Sequence, residues 1–200
     1  MRKLFPALFI ASLSVVANAK INHPYVQASL GLSTTNAKES QADVNLKDSD
    51  KAFSVAVGGK LNAGRYALDY TNFGEVEHEQ KGFDVATDYS KRKLKTQSVG
   101  VSAFYDFTPV AQFTPYVGAR LGVNKMNLDA KHRTTIGSSV YYASTAQKKT
   151  QAGLGVVAGA SYEVNPKWVI DGSVQYNYLG KLQNTKVDEH GAKIAVRYSF

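Results

Sequence analysis

The stretch Gly191-Ala-Lys-Ile194-Ala-Val196-Arg-Tyr198-Ser-Phe200, with which the chain ends, decides the fold. Ala192, Ile194, Val196, Tyr198 and Phe200 fall on one parity, and Gly191, Lys193, Arg197 and Ser199 on the other. An apolar residue at every second position is the mark of a strand that has one apolar face. Here the alternation runs to the last residue, with large aromatics at the end.

The same pattern recurs backwards along the chain. Trp168, Ile170, Val174, Tyr176 and Tyr178 oppose Asp171, Ser173, Gln175 and Asn177, while Leu154, Val156, Ala158, Ala160 and Tyr162 oppose Gly153, Gly155, Gly159 and Ser161. Val117, Ala119, Leu121 and Val123 oppose Gly118, Arg120, Gly122 and Asn124. Val99, Val101, Ala103, Tyr105 and Phe107 oppose Ser98, Gly100, Ser102 and Asp106. Tyr66, Leu68 and Tyr70, then Phe53, Val55 and Val57, then Val26, Ala28, Leu30 and Leu32 complete the set. Phe104 and Val157 interrupt the polar parity.

Eight such segments make an all-β chain, and the polar face decides which side is wet. A face built from glycine, serine and charged residues cannot form a packed apolar core, so the apolar face must look outward into lipid. The expectation is an eight-stranded antiparallel transmembrane β-barrel with short periplasmic turns and four longer extracellular loops. The turns fall at Asn62, Thr108 to Thr114 and Asn165, and the long connections near Asn36 to Asp50, Gly74 to Lys95, Asn127 to Thr150 and Gly180 to Glu189. An even strand number places both termini on the periplasmic side, and closure removes the unpaired edges that hydrocarbon would not tolerate.

Ahead of the barrel, Arg2 and Lys3, the apolar run Leu4 to Ala17 and the small residues Ala17-Asn18-Ala19 read as a secretory signal peptide. Residues 1–19 are therefore expected to be removed, leaving residues 20–200 as one barrel domain. The apolar run is shorter than the ~20 residues a spanning helix needs. The chain has no cysteine, which excludes disulfides and thiolate metal sites as its source of stability. Its formal charge is +8, and loss of Arg2 and Lys3 lowers that by two. In an exported protein the nearest polyanions are lipopolysaccharide phosphates and sulfated host glycans, and nucleic acid is not expected as a partner.

Three stretches carry a family likeness. Tyr116-Val-Gly-Ala-Arg120-Leu-Gly, Gly153-Leu-Gly-Val-Val-Ala-Gly159 and Tyr176-Asn-Tyr-Leu-Gly180-Lys-Leu, together with the closing Gly191 to Phe200, resemble the opacity family of outer-membrane proteins. That resemblance implies an eight-stranded barrel, grouped with porins, whose exposed loops bind host-cell receptors or matrix molecules.

The inward parity carries Lys60, Arg65, Asp69, Asp106, Arg120, Glu163, Asp171, Lys193 and Arg197. Its near-balance of sign points to internal salt bridges, with Arg65, Arg120 and Arg197 expected to pair with Asp69 and Asp171. As a function, the same charges would make a conducting constriction. Eight strands enclose an interior just wide enough for side chains to fill, so a structural plug is favoured over a diffusion pore. Gly153-x-Gly155-x-x-x-Gly159 lacks the spacing and the following helix of a nucleotide loop, and is better explained by small lumen-facing residues.

Ile194, Val196, Tyr198 and Phe200 serve as a lipid-facing strand and also resemble the assembly signal read by barrel assembly machinery. In the loops, Lys91, Arg92 and Lys93, then Lys131 and Arg133, then Tyr141 and Tyr142 are the candidate contacts for a host receptor, glycan or matrix protein. The same cations also suit the lipopolysaccharide of the protein's own membrane. Ile136, Val140, Tyr141 and Tyr142 would make either an apolar binding patch or an extension of the sheet beyond the membrane.

A lipid-modifying enzyme is the rival class, because a Ser, His and acid arrangement is compatible with a barrel. The histidines are His23, His78, His132 and His190, and none sits in a sequence-local catalytic motif. No catalytic residue, metal site or cofactor is expected, and a monomer suffices.

Overall fold

The computed structural model describes residues 23–39, 45–61, 64–81, 89–136, 139–182 and 185–200. The expected signal peptide lies outside the described residues. Every element among them is a strand: β1 (Tyr25–Glu39), β2 (Asn45–Leu61), β3 (Gly64–Lys81), β4 (Tyr89–Asp106), β5 (Phe113–Ile136), β6 (Ser139–Glu163), β7 (Trp168–Leu182) and β8 (Thr185–Ser199). Each pairs antiparallel with the next, and β1 pairs with β8 to close the barrel. Tyr25 stands opposite Ser199, and the Phe200 amide donates to the Pro24 carbonyl, so the two ends of the described chain meet at one rim.

Alternation sorts the side chains as the pattern requires. Leu30, Val101, Leu121, Val123, Leu154, Val156, Val174 and Ile194 are all exposed on the outer surface, whereas Ser29, Ser98, Asn124, Asp171 and Arg197 are buried inside. A soluble protein does not leave such a continuous apolar belt in water, so the belt is the lipid contact. At the rim that holds the termini, aromatics pair around the circumference. Tyr105 meets Phe107, Phe113 meets Tyr162, and Trp168 meets Tyr198, with ring centroids 5.1, 5.0 and 4.9 Å apart. Tyr198 in turn meets Phe200 at 5.2 Å. Such a girdle fixes the depth of the barrel at the membrane interface.

Short turns close this periplasmic rim. Between β6 and β7, the Asn165 side-chain oxygen accepts from the amides of Lys167 and Trp168 at 2.9 and 3.0 Å, which is the local bonding that makes asparagine a turn former.

At the opposite rim the long connections prove to be mostly sheet. β5 and β6 stay paired from Phe113 and Tyr162 out to Ile136 and Ser139, and β3 and β4 from Gly64 and Tyr105 to Lys81 and Tyr89. The sequence hides these extensions because both faces of a ribbon beyond the membrane are wet, so no apolar parity marks them. Two bulges punctuate the way out of the barrel, at Asn72/Glu75 in the β3–β4 pair and at Tyr178/Gly180 in the β7–β8 pair. Each contains a glycine in the left-handed region, Gly74 with φ 89° and Gly180 with φ 116°. A side chain at either position would be strained, which is why these two bends require glycine.

Candidate functional site

Two regions carry chemistry: the lumen, and the ribbon of β3 to β6 outside the membrane. The lumen is layered. Nearest the periplasmic rim, the Arg65 guanidinium lies 4.5 Å over the Tyr116 ring and 5.0 Å from that of Phe104. Its Nε donates to both carboxylate oxygens of Asp106 at 2.9 Å, and its Nη1 is 3.9 Å from Asp171. Asp171 also faces Arg197, at 3.5 Å, and accepts a 2.5 Å hydrogen bond from Ser161. Arg197 stacks over Tyr25 at 5.4 Å, and Tyr25 donates its hydroxyl hydrogen to the Tyr66 carbonyl at 3.1 Å.

One turn of the lumen further out, Arg120 forms a fork with Asp69: Nε to Oδ1 at 3.0 Å and Nη2 to Oδ2 at 2.6 Å. Ser98 accepts from the same Nη2 at 3.0 Å, and Thr71 donates to Asp69 at 2.9 Å. The guanidinium lies flat against the wall because Gly100 and Gly122 have no side chains, and a Cβ on either would come within 2.6 or 2.5 Å of it. Parallel charged hydrogen bonds of this kind fix geometry as well as charge.

Above this layer, Glu189 is fully buried and accepts from Ser33 at 2.9 Å, Gln175 at 3.0 Å and Asn177 at 2.6 Å. The Lys193 ammonium lies 5.7 Å over the Phe73 ring, which it shares with Arg120 at 6.0 Å, and stands in the field of Glu189, Asp69 and Arg120. Phe73, Met126, Leu179 and Val187 then form a buried apolar cap at the extracellular end of the lumen. Between the Phe104 and Tyr116 rings of the Arg65 layer and the Arg120–Asp69 pair further out remains a cavity of about 80 Å³, which Gln175 and Lys193 also line.

The placement differs from the sequence expectation in three respects. The nearest carboxylate to Arg65 is Asp106, which stands diagonally across the β3–β4 pair from it. Lys60 and Glu163 share the inward parity but are exposed at the periplasmic rim, beyond the enclosed lumen. Glu189, Tyr25, Tyr116 and the apolar cap were not anticipated. Glu189 and Phe73 sit beside segments that read as loops, and Tyr25 and Tyr116 open their strands, where the alternation is just beginning. Phe104, an exception on the polar parity, was the one visible sign of an aromatic cradle for Arg65.

On the ribbon, Lys93 bridges Glu75 at 2.8 Å and Glu77 at 2.6 Å, and Lys91 also pairs with Glu77. These pairs follow from register, since Glu75, Glu77 and Glu79 stand opposite Lys95, Lys93 and Lys91. The Glu77 carboxyl is held below its ordinary value by hydrogen bonds from Lys91 and then Lys93. Hydrogen bonds to Glu75 and Glu77 hold the Lys93 ammonium above its own. Arg92 is exposed on the other face of β4, and Lys131 is exposed on β5. The Arg133 side chain lies outside what the structure describes. Tyr141 and Tyr142 are 59% and 73% exposed; adjacent strand residues point to opposite faces, so Tyr142 shares a face with the exposed Val140 and Tyr141 lies on the other. His190 faces outward, with its Nδ1 3.3 Å from the Asn36 amide.

Comparison with known proteins agrees with this architecture. Residues 57–200 match the family described as Opacity family porin protein. The chain is 30% identical to opacity protein opA51 of Neisseria gonorrhoeae over 73% of this chain and 76% of that one. It is 34% identical to protein opa of Haemophilus influenzae over 72% of this chain and all of that protein. Among solved structures, neisserial surface protein A superposes with a TM-score of 0.58 and 30% identity, covering 88% of this chain and 97% of that one. A closed antiparallel eight-stranded barrel with an apolar belt, matched along most of its length by these proteins, identifies the chain as a member of the opacity family of outer-membrane proteins.

Proposed function

We propose that this outer-membrane barrel works as a surface-binding protein whose β3–β6 ribbon engages acidic glycans or receptors of a host cell. The observation that carries the reading is the length of the ribbon. β5 leaves the apolar belt at Val123 and continues to Ile136, roughly 40 Å of strand at the usual rise. A scaffold that only filled its membrane would not extend a paired sheet so far beyond it. Along this sheet Lys131, Tyr141 and Tyr142 are exposed, a mixture of cation and aromatic that suits an anionic sugar. Lys91 and Lys93 are tied to glutamates, so Lys131 is the better contact candidate among these lysines.

The experiment is binding of cells with and without the protein to an array of sulfated glycans and matrix proteins, repeated with Lys131→Gln/Tyr142→Ser. Binding that depends on the protein and falls in the double variant supports the reading, and equal binding by both cell types rejects it.

We also infer that Ile194, Val196, Tyr198 and Phe200 serve barrel assembly. In the finished barrel Phe200 is 70% exposed and packs only on Tyr198 among its ring contacts, so little of its worth is structural. Deletion of Phe200 is expected to lower surface levels more than Val156→Ala does, and equal levels would reject an assembly role.

A further inference from the structure

The barrel wall parts at two seams on its way out of the membrane. β2 and β3 pair no further than Phe53 and Asn72, and β6 and β7 no further than Leu154 and Tyr178. Beyond the second seam β7 runs to Leu182 against β8 alone, and β6 runs to Ser139 against β5 alone. The Lys181 amide, just past the parting, donates to the Gln151 side chain. From there out to Ser139 no described strand lies on the β7 side of β6.

The direction of the backbone groups on that side follows from the base of the strand. Glu163 donates its amide hydrogen to the Gln112 carbonyl, ahead of β5, and Val164 donates its own to the Trp168 carbonyl at the start of β7. Direction alternates along a strand and the β5–β6 register is uninterrupted, so Val140, Ser144, Ala146 and Lys148 turn N–H and C=O away from β5. Such groups repeat every ~6.8 Å over roughly 27 Å. Native proteins protect an edge of this kind with charge, proline, a bulge or a short strand. The other three edges at the seams obey that rule: β3 carries Glu75, Glu77 and Glu79, β2 carries Lys47, Asp48 and Asp50, and β7 is bulged and stops at Leu182. On β6, Ser139 to Gln147 holds neither charge nor proline, and every residue from Ser139 to Ala146 is exposed.

We propose that the β6 edge takes up an extended segment of a host-cell surface protein as an added antiparallel strand, with carboxylates on the segment where it meets Lys148 and Lys149. The inference rests on the surface-binding reading above and narrows its partner from glycan or receptor to polypeptide. An extended polypeptide presents N–H and C=O at the repeat this edge requires, which a sugar or a lipid headgroup does not. Antiparallel pairing is the more stable mode per residue. Val140 and Tyr142 favour β-branched or aromatic side chains opposite them, and Lys148 and Lys149 favour acidic ones. Neither lysine takes part in the Glu75 and Glu77 ion pairs, which Lys91 and Lys93 make. A second copy in the same membrane would meet β6 in parallel, lysine beside lysine, and fits the edge less well.

The test uses the full chain folded in detergent and a fluorescein-labelled peptide, Glu-Glu-Thr-Val-Thr-Tyr-Thr-Val-Thr, titrated by fluorescence anisotropy. Saturable binding of one peptide per chain is expected. Methylating the amide nitrogens of the tyrosine and of the threonine before it removes a donor from each edge of the peptide, and should weaken binding about tenfold. Ser144→Pro should weaken it by as much, and spares the β5–β6 ladder because the Ser144 amide faces away from β5. Replacing both glutamates of the peptide by lysines should weaken binding several-fold. Heat-modifiable gel mobility confirms that the variant is folded, and the methylated peptide tests the edge without altering the protein. Absence of binding, a methylated peptide held as tightly as its parent, or equal binding of the lysine peptide overturns the proposal. So does self-association of the chain that Ser144→Pro abolishes, since the occupant would then be a second copy. If cells with and without the protein attach to host surfaces alike, the surface-binding reading falls; if they differ while the peptide fails, only strand addition falls.

Discussion

The lumen and the ribbon use the same device, a cation and a carboxylate on neighbouring strands, in opposite surroundings. In the lumen the Arg197 and Asp171 side chains are 4% and 2% exposed; on the ribbon those of Lys93 and Glu77 are 40% and 37% exposed. The distances favour the ribbon, 2.6 Å against 3.5 Å, yet the lumen pairs should matter far more to the fold. A buried ion that loses its partner has no water to turn to, whereas an exposed one is solvated at once. Burial, not separation, sets the consequence of breaking a pair.

The largest expected effect follows directly. Asp171→Ala leaves Arg65 and Arg197 facing each other with Asp106 as the remaining carboxylate, and should destabilise the barrel by about 3–5 kcal/mol. Urea unfolding from lipid vesicles, followed by tryptophan fluorescence of Trp168, measures it. A midpoint equal to that of the unaltered chain would show that the lumen tolerates unpaired charge, and the contrast with the ribbon would collapse.

A smaller effect is expected at Arg120 and Asp69, whose side chains are 13% and 10% exposed and border the cavity. Arg120→Met should cost about 2–3 kcal/mol, because Asp69 loses its fork of charged hydrogen bonds and keeps the Thr71 hydroxyl and the attraction of Lys193. Adding Asp69→Leu removes the stranded carboxylate, so the double variant should be less destabilised than the sum of the two singles. Strict additivity would mean that the two side chains act independently despite their fork of hydrogen bonds.

The difference between the regions also explains what the sequence could reveal. Strand identity and sidedness were legible wherever one face meets lipid, since Val117 to Val123 or Ile194 to Phe200 are apolar on alternate positions and the glycine, serine and charge between them cannot pack as a core. The lumen was half legible: parity placed Arg65, Asp69, Arg120, Asp171 and Arg197 inside, but partner choice depends on register and on side-chain reach. Asp106 meets Arg65 diagonally across the β3–β4 pair, a relation that composition does not show. Glu189 was invisible because its neighbours Asp188 and His190 are polar too, so no alternation separates inside from outside there. The ribbon was least legible, for water accepts side chains on both faces and leaves no periodic trace. Its ion pairs emerge only once Glu75 is set opposite Lys95 and the bulge at Asn72 is known.

The smallest effect belongs to that ribbon, and its pH dependence has a definite sign. Hydrogen bonds from Lys91 and Lys93 keep the Glu77 carboxyl below its ordinary value of 4.5. A group depressed on folding contributes stability that is present above its unfolded value and lost as pH falls through the folded one. Lys93, raised from 10.5 mainly by Glu75, contributes below its unfolded value, and that contribution disappears as pH rises through the folded one. Both contributions are therefore complete at neutral pH and fail first on the acid side, below the ordinary glutamate range. Because both groups are exposed, solvent and salt screen them, and Glu77→Gln should leave the global unfolding midpoint where it was. What should change is local: amides of 91–95 exchange hydrogen faster in the variant at neutral pH and low salt. That difference should shrink at high salt, and again at acid pH, where Glu77 of the unaltered chain is itself protonated. A midpoint shift as large as that of Asp171→Ala would show that the ribbon's pairs are coupled to the barrel, and exposure would no longer separate the two regions.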